Sequence, residues 1–140
     1  QGGALMLVDT NVLIDVLNNE PRWADWSIHQ LRVQSKIHVL SINPIIYSEL
    51  SCAFSQIEDL DDVVQTMGLK YVQLPKPALF LAAKAFQTYR KKGGTKHHIL
   101  GDFFVGAHAA VSQLPVLTRD TQRYKTYFPS VQLVSPNVLH

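Results

Sequence analysis

The sequence predicts an α/β sandwich on a mainly parallel sheet, and three features carry that reading. Short apolar runs without polar alternation, Leu5-Met6-Leu7-Val8 first among them, have the pattern of strands buried on both faces. Longer stretches with apolar residues at helical spacing lie between these runs. Asp, Asn-Pro, Pro and Gly punctuate the boundaries, so strands and helices alternate as they do where crossover helices cover a parallel sheet.

The first strand ends on a carboxylate. Asp9-Thr10-Asn11 is a strand-to-helix turn, in which Asn11 or Thr10 is free to cap a helix whose apolar side includes Val12, Leu13, Val16 and Leu17. Asn18-Asn19-Glu20-Pro21 breaks that helix, and a second is expected over 23–33 with Trp26 and Leu31 turned inward. Residues 37–42 form the second strand. Asn43 then caps a third helix with Pro44 at its first position, running through Phe54 with Ile45, Ile46, Cys52 and Ala53 on its apolar face. Glu49 falls on that apolar stripe.

Residues 58–67 read as a short helix with acids in its first turns, where the helix dipole favours them, and Gly68 as its terminator. Tyr71-Val72-Gln73-Leu74 is the third strand. A helix over 78–92 is expected to bury Leu79, Ala82, Ala83 and Phe86 and to end in Arg90-Lys91-Lys92-Gly93. After a loop containing Lys96, His97 and His98, Asp102 opens a helix whose Gly106, Ala107, Ala109 and Ala110 allow close packing on a sheet. Val116-Leu117-Thr118 and residues 131–134 supply the fourth and fifth strands.

At 140 residues and 46% hydrophobic, the chain reads as one domain over 4–140, able to bury about two-thirds of its unfolded surface. Gln1-Gly2-Gly3 reads as a tag or linker remnant. A lone cysteine, Cys52, excludes an internal disulfide and thiolate-rich metal sites, and fits a reducing, cytoplasmic setting. With 13 basic against 11 acidic side chains, the formal charge is +2, which permits a nucleic-acid partner without demanding one. The apolar run Ala4 to Val8 is too short for a signal peptide or a membrane span, so no membrane association is expected.

Four carboxylates lack a surface explanation: Asp9 at the end of strand one, Glu49 on an apolar helix face, Asp102 at a helix start, and Asp120 just past strand four. Asp and Glu are rarely buried unless paired, and no Arg or Lys stands at a short fixed spacing to neutralise Asp9 or Glu49. Two carboxylates about 4 Å apart repel by roughly 4 kcal/mol at an effective dielectric near 20, and a divalent cation removes that strain. Oxygen-only ligands favour Mg²⁺ or Mn²⁺ over Zn²⁺, and phosphodiester hydrolysis is the chemistry such a site best supports.

Val8-Asp9-Thr10-Asn11, Glu49, Asp102-Phe103-Phe104-Val105-Gly106-Ala107-His108-Ala109 and Leu117-Thr118-Arg119-Asp120 together resemble the PIN-domain ribonucleases, most of all the VapC toxins of toxin–antitoxin pairs. The resemblance spans nearly the whole chain. It implies a three-layer α/β/α sandwich with five parallel strands. It also implies endonucleolytic RNA cleavage with Mg²⁺ or Mn²⁺, a homodimer, and a cognate antitoxin that blocks the acidic site. By that likeness Asp9, Glu49 and Asp102 are metal ligands, with Asp120 a fourth or water-mediated one. Thr118 matches the family's small hydroxyl residue that orients the acids, and Asn11 or Thr10 braces Asp9.

Other residues carry weaker signals. Lys96, His97 and Arg119 are candidates for contact with an RNA backbone, Arg119 alternatively for pairing with a nearby acid. Asp15 is expected to be exposed or to cap, since early helix positions favour Asp. His108 reads as a satisfied core histidine, and Tyr124, Tyr127 and Phe128 as a cluster packing a loop onto the domain. Two rival functions remain: a PIN nuclease that processes RNA without an antitoxin, and a catalytically silent module that binds RNA or protein. A haloacid-dehalogenase-type phosphatase needs a second Asp where Asn11 stands, and dinucleotide binding lacks its glycine fingerprint.

Overall fold

The computed structural model describes residues 3–96 and 100–136. Five parallel strands form one sheet in the order β3-β2-β1-β4-β5: β1 (Leu5–Val8), β2 (Val39–Ile42), β3 (Lys70–Tyr71), β4 (Val116–Leu117) and β5 (Leu133–Val134). Around it are α1 (Thr10–Leu17), α2 (Ala24–Ser35), α3 (Pro44–Ser51), α4 (Ile57–Thr66), α5 (Lys76–Lys91), α6 (Leu100–Ser112) and α7 (Gln122–Tyr127). The whole is a three-layer α/β/α sandwich. The chain winds outward from β1 to β3, then returns to β1's other side for β4 and β5. Right-handed crossovers put the helices of the two halves on opposite faces, so the strand order reverses between β1 and β4. A crevice opens there, at the carboxyl ends of the strands.

The apolar run of β1 is central, as its pattern predicts. Met6, Leu7 and Val8 have no exposed surface, and parallel partners flank them on both sides. Asn43 caps α3 as expected, its Oδ1 accepting from the Ile45 and Ile46 amides with Pro44 in the first turn. At α1 the cap is Asp9 itself, not Thr10 or Asn11, and Thr10 is already helical. The carboxylate that closes the strand therefore also opens the helix.

Several expected faces turn out rotated. Helix α3 stops at Ser51, where three-residue backbone bonds from Ala53 to Leu50 and from Phe54 to Ser51 tighten the turn. Its buried stripe is Ile46 and Leu50, and Cys52 and Ala53 are exposed. In α5 the stripe runs through Ala78 and Ala82, which pack with Phe103 and Ala107 of α6. Leu79 is 42% exposed and Ala83 faces out, one position off the expected face. Strand β3 sits at the sheet edge over Lys70–Tyr71 rather than 71–74, because Pro75 starts the next helix so soon after it.

The aromatic cluster before Pro129 is not a loop but helix α7, with Tyr124 and Phe128 buried. Phe128 lies against Gly106 of α6 so closely that a Cβ there would stand 2.4 Å from its ring. Phe128 is itself held by packing on Phe103. Gly106→Ala is therefore expected to destabilise the fold by about 1–2 kcal/mol in urea unfolding, the overpacking exceeding the gain in helix propensity. An unchanged midpoint would mean that α7 gives way freely.

Candidate active site

The crevice between the ends of β1 and β4 collects most of the acids singled out by the sequence. Asp9 ends β1 and is 7% exposed. Its Oδ1 accepts from the Thr10 amide at 3.0 Å, and its Oδ2 accepts from the Thr118 hydroxyl at 2.9 Å and the Tyr124 hydroxyl at 3.0 Å. Thr118, directly after β4, in turn accepts from the Asp120 amide at 3.1 Å and from Asn11 Nδ2 at 3.3 Å. Asn11 Oδ1 accepts from the Arg119 amide at 3.1 Å. Asn11 and Thr118 thus lock the turn after β1 to the turn after β4. Thr10 holds Asp9 by its backbone while its hydroxyl donates to Glu49 Oε1 at 2.5 Å.

Asp102, in the first turn of α6, and Asp120 face the same small cleft as Asp9, Asn11, Tyr124 and Phe128, a space of about 20 Å³. Arg123 enters this cleft from α7, and its Nη1 donates to Asp102 Oδ2 at 2.7 Å and to Asp120 Oδ2 at 3.1 Å. Glu49 stands to one side of the cleft, with Oε2 close enough to α6 that a Cβ at Gly101 would lie 3.1 Å from it. A side chain in place of Gly101 would push the Glu49 carboxylate by a few tenths of an ångström.

Burial pushes the Asp9 carboxyl above its ordinary value, opposed by the Thr118 hydroxyl and reinforced by the charge of Asp102. Glu49 is also raised, first by burial, with the Thr10 hydroxyl offsetting and Asp9 adding repulsion. Tyr124 is pushed well up by burial and by the neighbouring Asp9, so its hydroxyl remains a donor. An acid raised above its unfolded value favours the folded state while protonated, and that contribution is lost as pH rises through the raised value. Without metal, the stability advantage of Asp9→Asn over the unmodified chain is therefore expected to widen as pH climbs from about 4 to about 7. Melting curves of both proteins across that range check it, and a gap that narrows with pH would contradict it.

The donor set is all oxygen, and the electrostatic strain on Asp9 and Glu49 is of the kind a hard divalent cation relieves, so the residues fit Mg²⁺ or Mn²⁺ in chemistry. Their side chains are not yet gathered for it: among the described residues, no group of three His, Cys, Asp or Glu could hold a metal ion as placed. Arg123 stands between two of the acids instead.

Asp15 corrects the expectation of an exposed residue. It is 2% exposed, accepts from Arg119 Nε at 2.6 Å and Nη2 at 2.9 Å, and takes the Ser27 hydroxyl at 2.8 Å. Arg119, whose guanidinium also lies 5.1 Å over the Trp23 ring, is thus committed to an acid. His108 is buried, its Nδ1 at 3.1 Å from Asn43 Nδ2, and burial lowers its pKa. Lys96 is exposed, and His97 lies outside the described residues. The sequence reading missed Arg123 and the bond from Tyr124 to Asp9. The spacing of Asp120 and Arg123, three residues apart at a helix start, was the available signal.

The family model described as the PIN domain matches residues 6–129. Among solved structures, the chain is similar to VapBC2 from Rickettsia felis bound to a DNA fragment from their promoter (TM-score 0.72, 18% identity, 95% of this chain and 99% of that one). It is similar to a toxin-antitoxin complex from Klebsiella pneumoniae (TM-score 0.65, 19% identity, 96% and 99%). It also resembles FitAcB from Neisseria gonorrhoeae (TM-score 0.65, 18% identity, 96% and 99%). No curated protein matches the chain by sequence. Among the described residues, no helix is long and apolar enough to cross a membrane.

Proposed function

Since the chain belongs to the PIN domain family, whose members are nucleases, we propose that it is a metal-dependent endoribonuclease and the toxin half of a toxin–antitoxin pair. The observation that carries the catalytic reading is Asp9: a carboxylate buried at the strand-order reversal, strained by the charge of Asp102, with Asp120 on the same cleft. Asp9, Glu49 and Asp102 would hold Mg²⁺ or Mn²⁺, with Asp120 a fourth or water-mediated ligand. Such an ion would supply the means to activate water and to neutralise charge building on the phosphodiester.

The chain's own residues do the rest. Thr118 and Tyr124 donate to Asp9 and keep one of its oxygens fixed, and Asn11 holds Thr118 in turn. Thr10 sets the orientation of Glu49. Lys96, exposed before α6, attracts the RNA backbone electrostatically. Arg119 enters the proposal as a brace rather than a phosphate ligand, because Asp15 binds its guanidinium.

The toxin reading draws support from the likeness to VapBC and other toxin-antitoxin structures, and with it come a cognate antitoxin, a homodimer and a cytoplasmic setting. The Arg123 bridge favours a second reading, a silent module that holds RNA or protein without cutting it. Incubation of the protein with structured and single-stranded RNAs in Mg²⁺, Mn²⁺ or EDTA separates the two. Discrete cuts that need metal support the nuclease, and intact RNA despite measurable metal binding favours the module. Co-expression with the product of a neighbouring small reading frame tests the antitoxin, which should suppress the cuts.

A further inference from the structure

We infer that Arg123 is a built-in competitor for the metal: its guanidinium neutralises Asp102 and Asp120 when no divalent ion is present, and an incoming ion must displace it. This inference rests on the metal-dependent reading above. A single nitrogen, Nη1, reaches both acids, at 2.7 and 3.1 Å, so one point of positive charge sits between two carboxylates that the same cleft aligns with Asp9. A divalent ion held by Asp102 and Asp120 would draw on the same two carboxylates and so would compete with the guanidinium for them.

Release of Arg123 requires only rotation of its side chain. Helix α7 itself is pinned, by Tyr124 donating to Asp9 and by Phe128 packed on Phe103 and Gly106. The Asp102 and Asp120 side chains are 39% and 45% exposed and that of Arg123 is 25% exposed, so solvent screens both pairs. Partly exposed ion pairs are weak, and two of them slow a divalent ion without excluding it. The guanidinium so freed stays tethered beside the cleft, within reach of an anionic strand.

Mn²⁺ titration by calorimetry, with melting curves, tests this in the full chain. Arg123→Gln should bind Mn²⁺ about three- to tenfold more tightly than the unmodified protein. Arg123→Lys, which keeps the charge and loses the planar fork, should fall between and guards against misfolding of the first variant. Lys125→Gln removes the same charge from an exposed position on α7 and should leave the affinity within about twofold. Metal-free Arg123→Gln should melt below the unmodified protein and gain more from Mn²⁺, whereas a merely structural arginine would lower both states equally. Mn²⁺ binding that is equal or weaker in Arg123→Gln overturns the inference and leaves the nuclease reading standing. Absence of Mn²⁺ binding in every form overturns the metal reading and the inference together.

Discussion

Asp9→Asn and Asp102→Asn are each expected to lower metal-dependent RNA cleavage about a thousandfold or more, while leaving the protein folded. Loss of one anionic ligand removes several kcal/mol of stabilisation from a metal-assisted transition state, and each 1.4 kcal/mol is tenfold in rate. The two variants differ in what else they disturb. Asp9 caps α1 and accepts three hydrogen bonds, but its carboxyl is raised by burial and by Asp102, so a neutral amide relieves more than it forfeits. Metal-free Asp9→Asn should therefore melt at or above the unmodified chain and gain nothing from Mn²⁺. Asp102→Asn instead removes an acceptor from Arg123 and should melt slightly lower without metal. Should Asp9→Asn still cut RNA at more than a tenth of the original rate, Asp9 is not a ligand.

What the sequence made legible follows from how each feature is encoded. The strand β1 and the cap at Asn43 are local patterns, a run of apolar residues and an Asn-Pro pair, and both stand as read. Asp9, Asp102 and Asp120 stood out because each sits at an element boundary where an unexplained acid is conspicuous, and they line one cleft. Glu49 was singled out from its helix stripe, although that helix ends earlier than expected and its apolar face is rotated; it stands beside the cleft rather than in it. Pairings across the sheet are another matter. Asp15 and Arg119 are 104 positions apart, and only the parallel pairing of β1 with β4 brings the helix after one beside the turn after the other. No periodicity records such a contact. Helix α7 escaped for a different reason: at six residues, with aromatic rather than aliphatic anchors, it is too short to show a stripe.

That hidden pair carries the second large effect. Arg119→Met is expected to lower the unfolding free energy by about 3 kcal/mol, read from urea denaturation. The cost arises on the other side of the pair: Asp15 is 2% exposed, and without Arg119 its carboxylate keeps the Ser27 hydroxyl in place of a cation. Arg119 is itself 27% exposed in its side chain, which holds the loss to the lower end of the range for buried pairs. Adding Asp15→Asn should recover most of it, since an amide still bonds Ser27 and needs no counter-ion. A recovery of that size is a coupling no exposed pair supplies, for which about 1 kcal/mol is the ceiling. Cleavage should fall in Arg119→Met by more than stability alone dictates, because loss of the side-chain pair with Asp15 loosens the turn whose backbone amide binds Asn11 and whose Thr118 holds Asp9. A loss below about 1 kcal/mol would mean that solvent reaches Asp15 freely, and the pair would then brace nothing beneath the site.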